Sequence, residues 1–316
     1  MRALFLSCLF LGATFGASDE PVARKRPAAA ARDAQGSDFR TDSTVVLVNV
    51  TVTDARGRSV TGLRKENFQI FEDKAEQAVR YFSAEDSPIS VGLVLDFSHS
   101  MLSKFGELRE AVRQFLKMAD AEDEFCLIEF SNRAELSIGF TGEPEEIRTR
   151  VAQATPLGRT ALLDAVYLGL QQMNKARNPR RALLIVSDGG DNHSRYHARE
   201  VENLARESDV QIYAIGVPER LESLLGDLET ARGADLLTKL SEQGGGRYYG
   251  VDNVRDLPGM AERIGLELRH QYVLGYTSSN QERDGRYRSV QVKLPRSAGQ
   301  PKLWANWKHG YFAPAD

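Results

Sequence analysis

Ser90-Val-Gly-Leu-Val-Leu-Asp-Phe-Ser-His-Ser100 is the stretch on which the fold turns. Ser90 to Leu95 has the uncharged run of a strand buried on both faces, and it ends at once on Asp96, with hydroxyls following at Ser98 and Ser100. Reading outward, the same design recurs. Leu102 to Ala119 places Phe105, Leu108, Val112, Phe115 and Leu116 on one face, the spacing of an amphipathic helix. Phe125 to Phe130 predicts a strand, Ala161 to Met173 a helix, Ala182 to Val186 a strand, Arg199 to Ser208 a helix and Val210 to Gly216 a strand. Leu236 to Gln243 predicts a helix stopped by Gly244-Gly-Gly246, Arg247 to Val251 a short strand and Val254 to Leu268 a last helix, read as a packed helix rather than a sliding switch. This succession over 88–270 predicts an α/β domain, a doubly wound and mostly parallel sheet with helices on both faces. In such sheets the ligand crevice lies beyond the carboxyl ends of the strands.

The flanks have a different period. Val46, Val48, Val50 and Val52 alternate with Asn49, Thr51 and Thr53, the pattern of a half-buried strand, and Phe68 to Phe71 and Val79 to Phe82 add β-rich pieces. At the far end the period of two returns in Tyr272, Leu274 and Tyr276, in Val290, Val292 and Leu294, and in the aromatic run Trp304 to Phe312. Neither flank is long enough to bury a core by itself. The expectation is therefore that 43–87 and 271–316 pair into one β-sandwich into which the α/β domain is inserted.

Composition narrows the function class. In 316 residues, 41 Lys and Arg stand against 44 Asp and Glu, a formal charge of -3 that offers no global field for nucleic acid or an anionic membrane. The beginning of the chain, MRALFLSCLFLGATFGASDE, has Arg2, an apolar run from Ala3 to Leu11, and small residues at Gly12, Ala13, Gly16, Ala17 and Ser18. That order predicts a signal peptide over 1–18 and an exported protein, periplasmic, cell-surface or secreted. The run is shorter than the ~20 residues of a spanning helix, so no transmembrane span is expected in the mature form. Residues 19–42 mix Pro, Ala and both charge signs without periodicity and read as a disordered linker. Cys8 would leave with the signal. Cys126, in an apolar strand, is then expected to be a buried thiol with no disulfide partner.

The chemistry lies after the buried strands. Asp96, Ser98 and Ser100 follow one of them, Asp188-Gly189 follows another, and Gly158-Arg159-Thr160 opens a helix. Two carboxylates and three hydroxyls are hard oxygen donors, which suits Mg²⁺ or Mn²⁺ before Zn²⁺. Each piece alone has a bland reading, since Ser and Thr cap helices and Asp-Gly makes turns.

With its Asp-x-Ser-x-Ser, a later Thr and then Asp-Gly, the chain resembles the von Willebrand factor A (VWA) domain family and its metal-ion-dependent adhesion site (MIDAS). The resemblance covers 88–270. It implies a Rossmann-like VWA fold and a metal set of Asp96, Ser98, Ser100, Thr160 and Asp188, with the hydroxyls on the ion and the carboxylates acting directly or through water. The segments Val60-Thr-Gly-Leu63, Asn67 to Phe71, Gln271 to Tyr276 and Asp284 to Arg288 are similar to a bacterial VWFA-related family. The implied function is divalent-cation-dependent protein binding, for adhesion or complex assembly, in which a partner presents an Asp or Glu. His99, His193 and Tyr196 fall near the same rim and are candidates for partner selection. The alternatives are a metal-dependent hydrolase and an envelope module with a purely structural cation. No Gly-x-Ser-x-Gly, His-Glu-x-x-His or P-loop motif supports an enzyme, and His99 or His193 would have to serve as base without an orienting group.

Overall fold

A computed structural model describes residues 45–84, 86–217, 224–295 and 301–315. The expected signal peptide (1–18), the linker (19–42) and Cys8 lie outside the described residues. The N-terminal flank supplies β1 (Val45–Thr53), β2 (Gln69–Glu72), β3 (Ala75–Gln77) and β4 (Tyr81–Ser83). The middle then runs β5 (Ile89–Asp96), α1 (Phe105–Leu116), β6 (Glu124–Phe130), β7 (Ala134–Thr141), α2 (Pro144–Gln153), α3 (Leu162–Met173) and β8 (Arg180–Ser187). It continues with α4 (Ala198–Glu207), β9 (Gln211–Gly216), α5 (Leu224–Gln243), β10 (Tyr248–Gly250) and α6 (Leu257–Arg269). The C-terminal flank supplies β11 (Gln271–Thr277), β12 (Tyr287–Lys293), β13 (Trp304–Trp307) and β14 (Gly310–Phe312).

The six-stranded sheet has the order β10-β9-β8-β5-β6-β7, parallel throughout except for β7, which is antiparallel to β6 at the edge. A period of two sorts its side chains onto two faces. Val91, Leu93 and Leu95 pack under α1 and α6 with Phe105, Leu108, Ile264 and Leu268, while Val94, Cys126, Ile128 and Ile185 pack under α3, α4 and α5 with Leu162, Val166, Val201 and Leu240. Burial on both faces explains why β5 and β8 read as continuous apolar runs. Cys126 is a free, fully buried thiol, and that burial pushes its pKa up to about 12.

The two flanks meet. One four-stranded sheet has the order β13-β1-β11-β4 and the other β14-β12-β2-β3, so each contains strands from both ends of the chain. Val48, Val50 and Val52 of β1 and Tyr272 and Tyr276 of β11 share one core with Phe68, Ile70 and Val292. The α/β portion is thus inserted in a β-sandwich formed by N- and C-terminal segments. Beneath that core Glu72, 2% exposed, accepts hydrogen bonds from Tyr276 (2.7 Å), Tyr311 (2.9 Å) and Ser278 and pairs with Arg288, tying β2 to the C-terminal flank.

Some elements differ from the sequence reading. The helix expected over Leu102 to Ala119 opens with a 3-10 turn, His99–Lys104, before α1. The aromatic run Trp304 to Phe312 is two strands, β13 and β14, that part into different sheets. β7 and α2 had no counterpart, although Leu136, Ile138 and Phe140 alternate and Pro144 with Glu145 and Glu146 is a helix-start signature. Thr51 and Thr53 do not face water. They are buried, and the Thr51 hydroxyl meets the Tyr213 hydroxyl of β9 at 3.3 Å where the sandwich abuts the α/β portion.

Candidate functional site

From β5 the sheet grows toward β6 on one side and toward β8 on the other, so the boundary between β5 and β8 is the switch point where a crevice opens. β5 ends there on Asp96 and β8 on Ser187, followed directly by Asp188. Asp96 is completely buried. Its Oδ1 accepts the backbone N–H of Ser98 at 2.9 Å and its Oδ2 accepts the Ser187 hydroxyl at 2.6 Å. The chain then turns out of the sheet through extended Ser98 into the 3-10 turn, which sets the Ser98 and Ser100 hydroxyls 3.0 Å apart in a shared hydrogen bond.

Asp188 is held on the opposite side. Its Oδ1 accepts the Gly190 N–H at 3.2 Å, and Lys104 Nζ, at the end of the 3-10 turn, lies 3.4 Å from its Oδ2 with both side chains below a tenth exposed. Gly189 makes this loop possible. Its φ of +83° suits glycine, and a Cβ there would stand 2.6 Å from the backbone of Gly233 in α5. Thr160 comes from a third segment, just before α3. Its N–H reaches Asn192 Oδ1 at 3.1 Å, and its carbonyl accepts the N–H groups of Asn192 (3.0 Å) and His193 (3.1 Å). Ser100, Thr160 and Asp188 line one cleft of about 470 Å³ together with His99, Arg159, Asn192 and Arg232, and Asp96 and Ser98 lie buried at the carboxyl end of β5, joined to it through Ser100.

Electrically the floor is short of positive charge. Burial, and next the neighbouring Asp188 carboxylate, push the Asp96 carboxyl up to about 7, against hydrogen bonds from Ser187 and Ser98 that pull it down. Among the described residues, the Asp96 and Asp188 carboxylates at the floor have one lysine in contact, and the other side-chain groups that meet there are neutral hydroxyls. The donors that meet here are carboxylate and hydroxyl oxygens, and among the described residues no group of three or more His, Cys, Asp or Glu converges. Hard oxygen donors with a net negative balance fit a divalent cation such as Mg²⁺ or Mn²⁺.

Of the candidate rim residues, His99 is exposed and lines the cleft. His193 is exposed on the loop after β8, fixed through its backbone to Thr160. Tyr196 is half-buried and stacked on Tyr167 at 3.9 Å, with its N–H donated to Asp164. Four further residues stand here to which the sequence reading assigned no role: Ser187 and Lys104 contact the two carboxylates, and Arg159 and Arg232 line the cleft wall. Ser187 adjoins the Asp-Gly pair, and its hydroxyl locks Asp96 to β8; only the fold brings Lys104 against Asp188 and Arg232 to the cleft.

Residues 91–190 match the family model described as the von Willebrand factor type A domain. Among solved structures, a von Willebrand factor type A protein from Catenulispora acidiphila aligns with a TM-score of 0.51 and 11% identity, over 88% of this chain and 75% of its own, so the likeness of fold extends past the central sheet into the flanks. The conserved hypothetical protein BatB from Bacteroides thetaiotaomicron aligns at 18% identity and a TM-score of 0.44, over 57% of this chain and 98% of its own. The vWF domain of the type V pili tip protein Mfa5 from Porphyromonas gingivalis aligns at 12% and 0.47, over 58% and 95%. No curated protein matches the chain. The family match falls on the segments that carry the cleft, and the inserted sheet is the corresponding fold: the chain carries a von Willebrand factor type A domain.

Proposed function

We propose that this protein is an exported module that binds a partner protein, for adhesion or complex assembly, through a divalent cation held at the crevice between β5 and β8. The observation that carries the reading is the buried Asp96 carboxylate, braced by Ser187 and Ser98 beside Asp188 with a single lysine to offset both charges. Ser98, Ser100 and Thr160 would hold the ion through hydroxyls, and Asp96 and Asp188 directly or through water. Bound there, Mg²⁺ or Mn²⁺ supplies a Lewis-acidic position able to accept a carboxylate oxygen from an Asp or Glu of the partner. The chain's own part is to preorganise that position. Ser187 fixes the Asp96 carboxylate, the glycine loop aims Asp188, and the 3-10 turn presents Ser98 and Ser100. His99, on the cleft wall, His193 on the adjoining loop and Tyr196 behind it are assigned to partner selection.

Export rests on the sequence from Arg2 to Ser18; among the described residues no helix is long and apolar enough to cross a membrane. The accompanying division of the chain is a signal peptide at 1–18, a linker at 19–42, a sandwich from 43–87 and 271–316, and the inserted domain at 88–270. Calorimetric titration of the protein with Mg²⁺, paired with a Mg²⁺-dependent pull-down from envelope extracts, tests the reading. Asp96→Ala is expected to abolish the Mg²⁺ heat and the dependent partner while leaving the fold intact by circular dichroism. Partner capture that persists in that variant or in excess EDTA refutes the proposal.

A further inference from the structure

The cleft wall carries charge that the cation floor does not use. Arg159 and Arg232 both line the cleft and are exposed, and neither side chain has an ion-pair partner among the described residues. They arrive from unrelated parts of the fold and are fixed there by backbone. Arg159 N–H donates to Asn132 Oδ1 at 2.9 Å, following Gly158, whose carbonyl accepts the His99 N–H at 3.1 Å. Arg232 precedes Gly233, the residue whose backbone meets the Gly189 loop. The carboxylates on the same wall are already engaged: Asp188 with Lys104, and Asp191 with the Leu162 N–H (3.0 Å) and the Ser194 hydroxyl (2.6 Å). Beside Arg159 stands Leu157, 72% exposed although its N–H is tied to the Phe97 carbonyl at 2.8 Å. Leu157 and Arg159 thus stand exposed in one loop, and Arg232 reaches the same cleft as Arg159, so an apolar group and two guanidinium groups without an ion-pair partner among the described residues combine as they do in a recognition surface.

We propose that Arg159, Arg232 and Leu157 form a docking rim for an acidic segment of a partner protein, one that presents at least two carboxylates beside an apolar side chain. This rests on the cation-dependent reading of the site, since one carboxylate goes to the cleft floor. The second is taken by an arginine fork, whose planar donors match a carboxylate in two parallel hydrogen bonds. The rim charges act across solvent and set selectivity and association rate more than total affinity, so their effect fades with salt. Polyanions without an apolar group lack the Leu157 contact.

The test uses short synthetic peptides and fluorescence anisotropy in Mg²⁺. One peptide carries Asp, Glu and Leu together; its relatives replace the second carboxylate by Gln or the Leu by Ser, and heparin serves as a polyanion control. The wild-type protein is expected to prefer the two-carboxylate peptide by about fivefold to tenfold at low salt. Arg159→Gln with Arg232→Gln is expected to erase that preference while keeping Mg²⁺ binding and the weaker single-carboxylate binding, and Leu157→Ser to erase the preference for Leu. Loss of all binding in Asp96→Ala supports the parent reading independently. If Asp96→Ala abolishes binding but the double arginine variant keeps the preference, the rim proposal falls and the cation site stands. Tighter binding of heparin than of the peptide, or no peptide bound by the wild type, also overturns the rim proposal.

Discussion

The two ends of the central sheet treat buried carboxylates in opposite ways. At the amino ends of the strands, Asp123 is 1% exposed and fully matched: it accepts the N–H groups of Ile89 (3.0 Å) and Asp120 (2.8 Å) and pairs with Arg269. Arg269 also reaches Asp86, Asp120 and the Met118 carbonyl, while Arg180 donates to the carbonyls of Ser87 and Leu268, so both crossings between the sandwich and the inserted sheet are pinned at one place. At the carboxyl ends, Asp96 is equally buried and has neutral donors only, beside a second carboxylate. The same sheet thus spends matched charge on tying the sandwich to the inserted sheet and leaves unmatched charge at the end proposed to bind a cation. Leaving a buried ion unpaired is costly, and the end that forgoes pairing is the one to which the cation site is assigned by proposal.

Breaking the matched end should have the largest effect. Arg269→Met leaves Asp123 buried without its cation, and the expected loss is about 3–5 kcal/mol of unfolding free energy, read from denaturant midpoints. The unmatched end should respond to pH instead. The Asp96 carboxyl sits at about 7 in the folded protein against 3.8 in the unfolded chain, so between those values the folded state holds the extra proton. Metal-free stability therefore falls as pH rises from 3.8 to about 7, by up to about 4 kcal/mol, and the loss is complete above that. Asp96→Asn in EDTA escapes it: the variant should match wild type near the acid end of that window and exceed it at alkaline pH. Parallel stability curves for the two proteins would contradict the assignment. Adding Mg²⁺ at alkaline pH should restore the wild type alone.

Much of this contrast was legible in the sequence, and unevenly. Continuous apolar runs such as Ala182 to Val186 announce strands buried on both faces, and Asp96, Ser98, Ser100, Thr160 and Asp188 each follow or precede an element whose period is plain. The matched end was invisible, because Asp86, Asp123, Arg180 and Arg269 are ordinary surface-type residues whose pairing depends on four separate segments meeting. Thr51 misled for the same reason. Alternation correctly opposed it to Val50 and Val52, but at Thr51 the other face of β1 meets Tyr213 of β9 rather than water. The loop glycines carried information that periodicity does not weigh: Gly189 is constrained by Gly233, far along the chain. Gly189→Ala adds a Cβ against that backbone at a positive φ, with an expected cost of about 1–3 kcal/mol and a weakened Mg²⁺ response, both measurable on the folded protein.

The smallest change should sharpen the contrast most. Among the described residues Lys104 is the cation paired with Asp188, at 3.4 Å and 8% side-chain exposure, on the turn that carries Ser100. If the proposed divalent ion binds there, this ammonium stands in for part of its charge in the metal-free protein and would repel the ion on binding. Lys104→Met keeps the aliphatic packing of the stem and removes only the charge. Mg²⁺ affinity by calorimetry is expected to rise about tenfold, which corresponds to about 1.4 kcal/mol, while the metal-free protein loses stability because Asp188 has lost its partner. The opposite signs of these two changes separate an internal counter-ion from a lysine that merely packs, since a packing role would lower stability without raising affinity. The comparison also explains why the matched end uses arginines and this one a lysine. Arg269 holds several acceptors in a rigid fork and is not meant to leave, whereas a single flexible ammonium can be displaced from one carboxylate oxygen by a better cation.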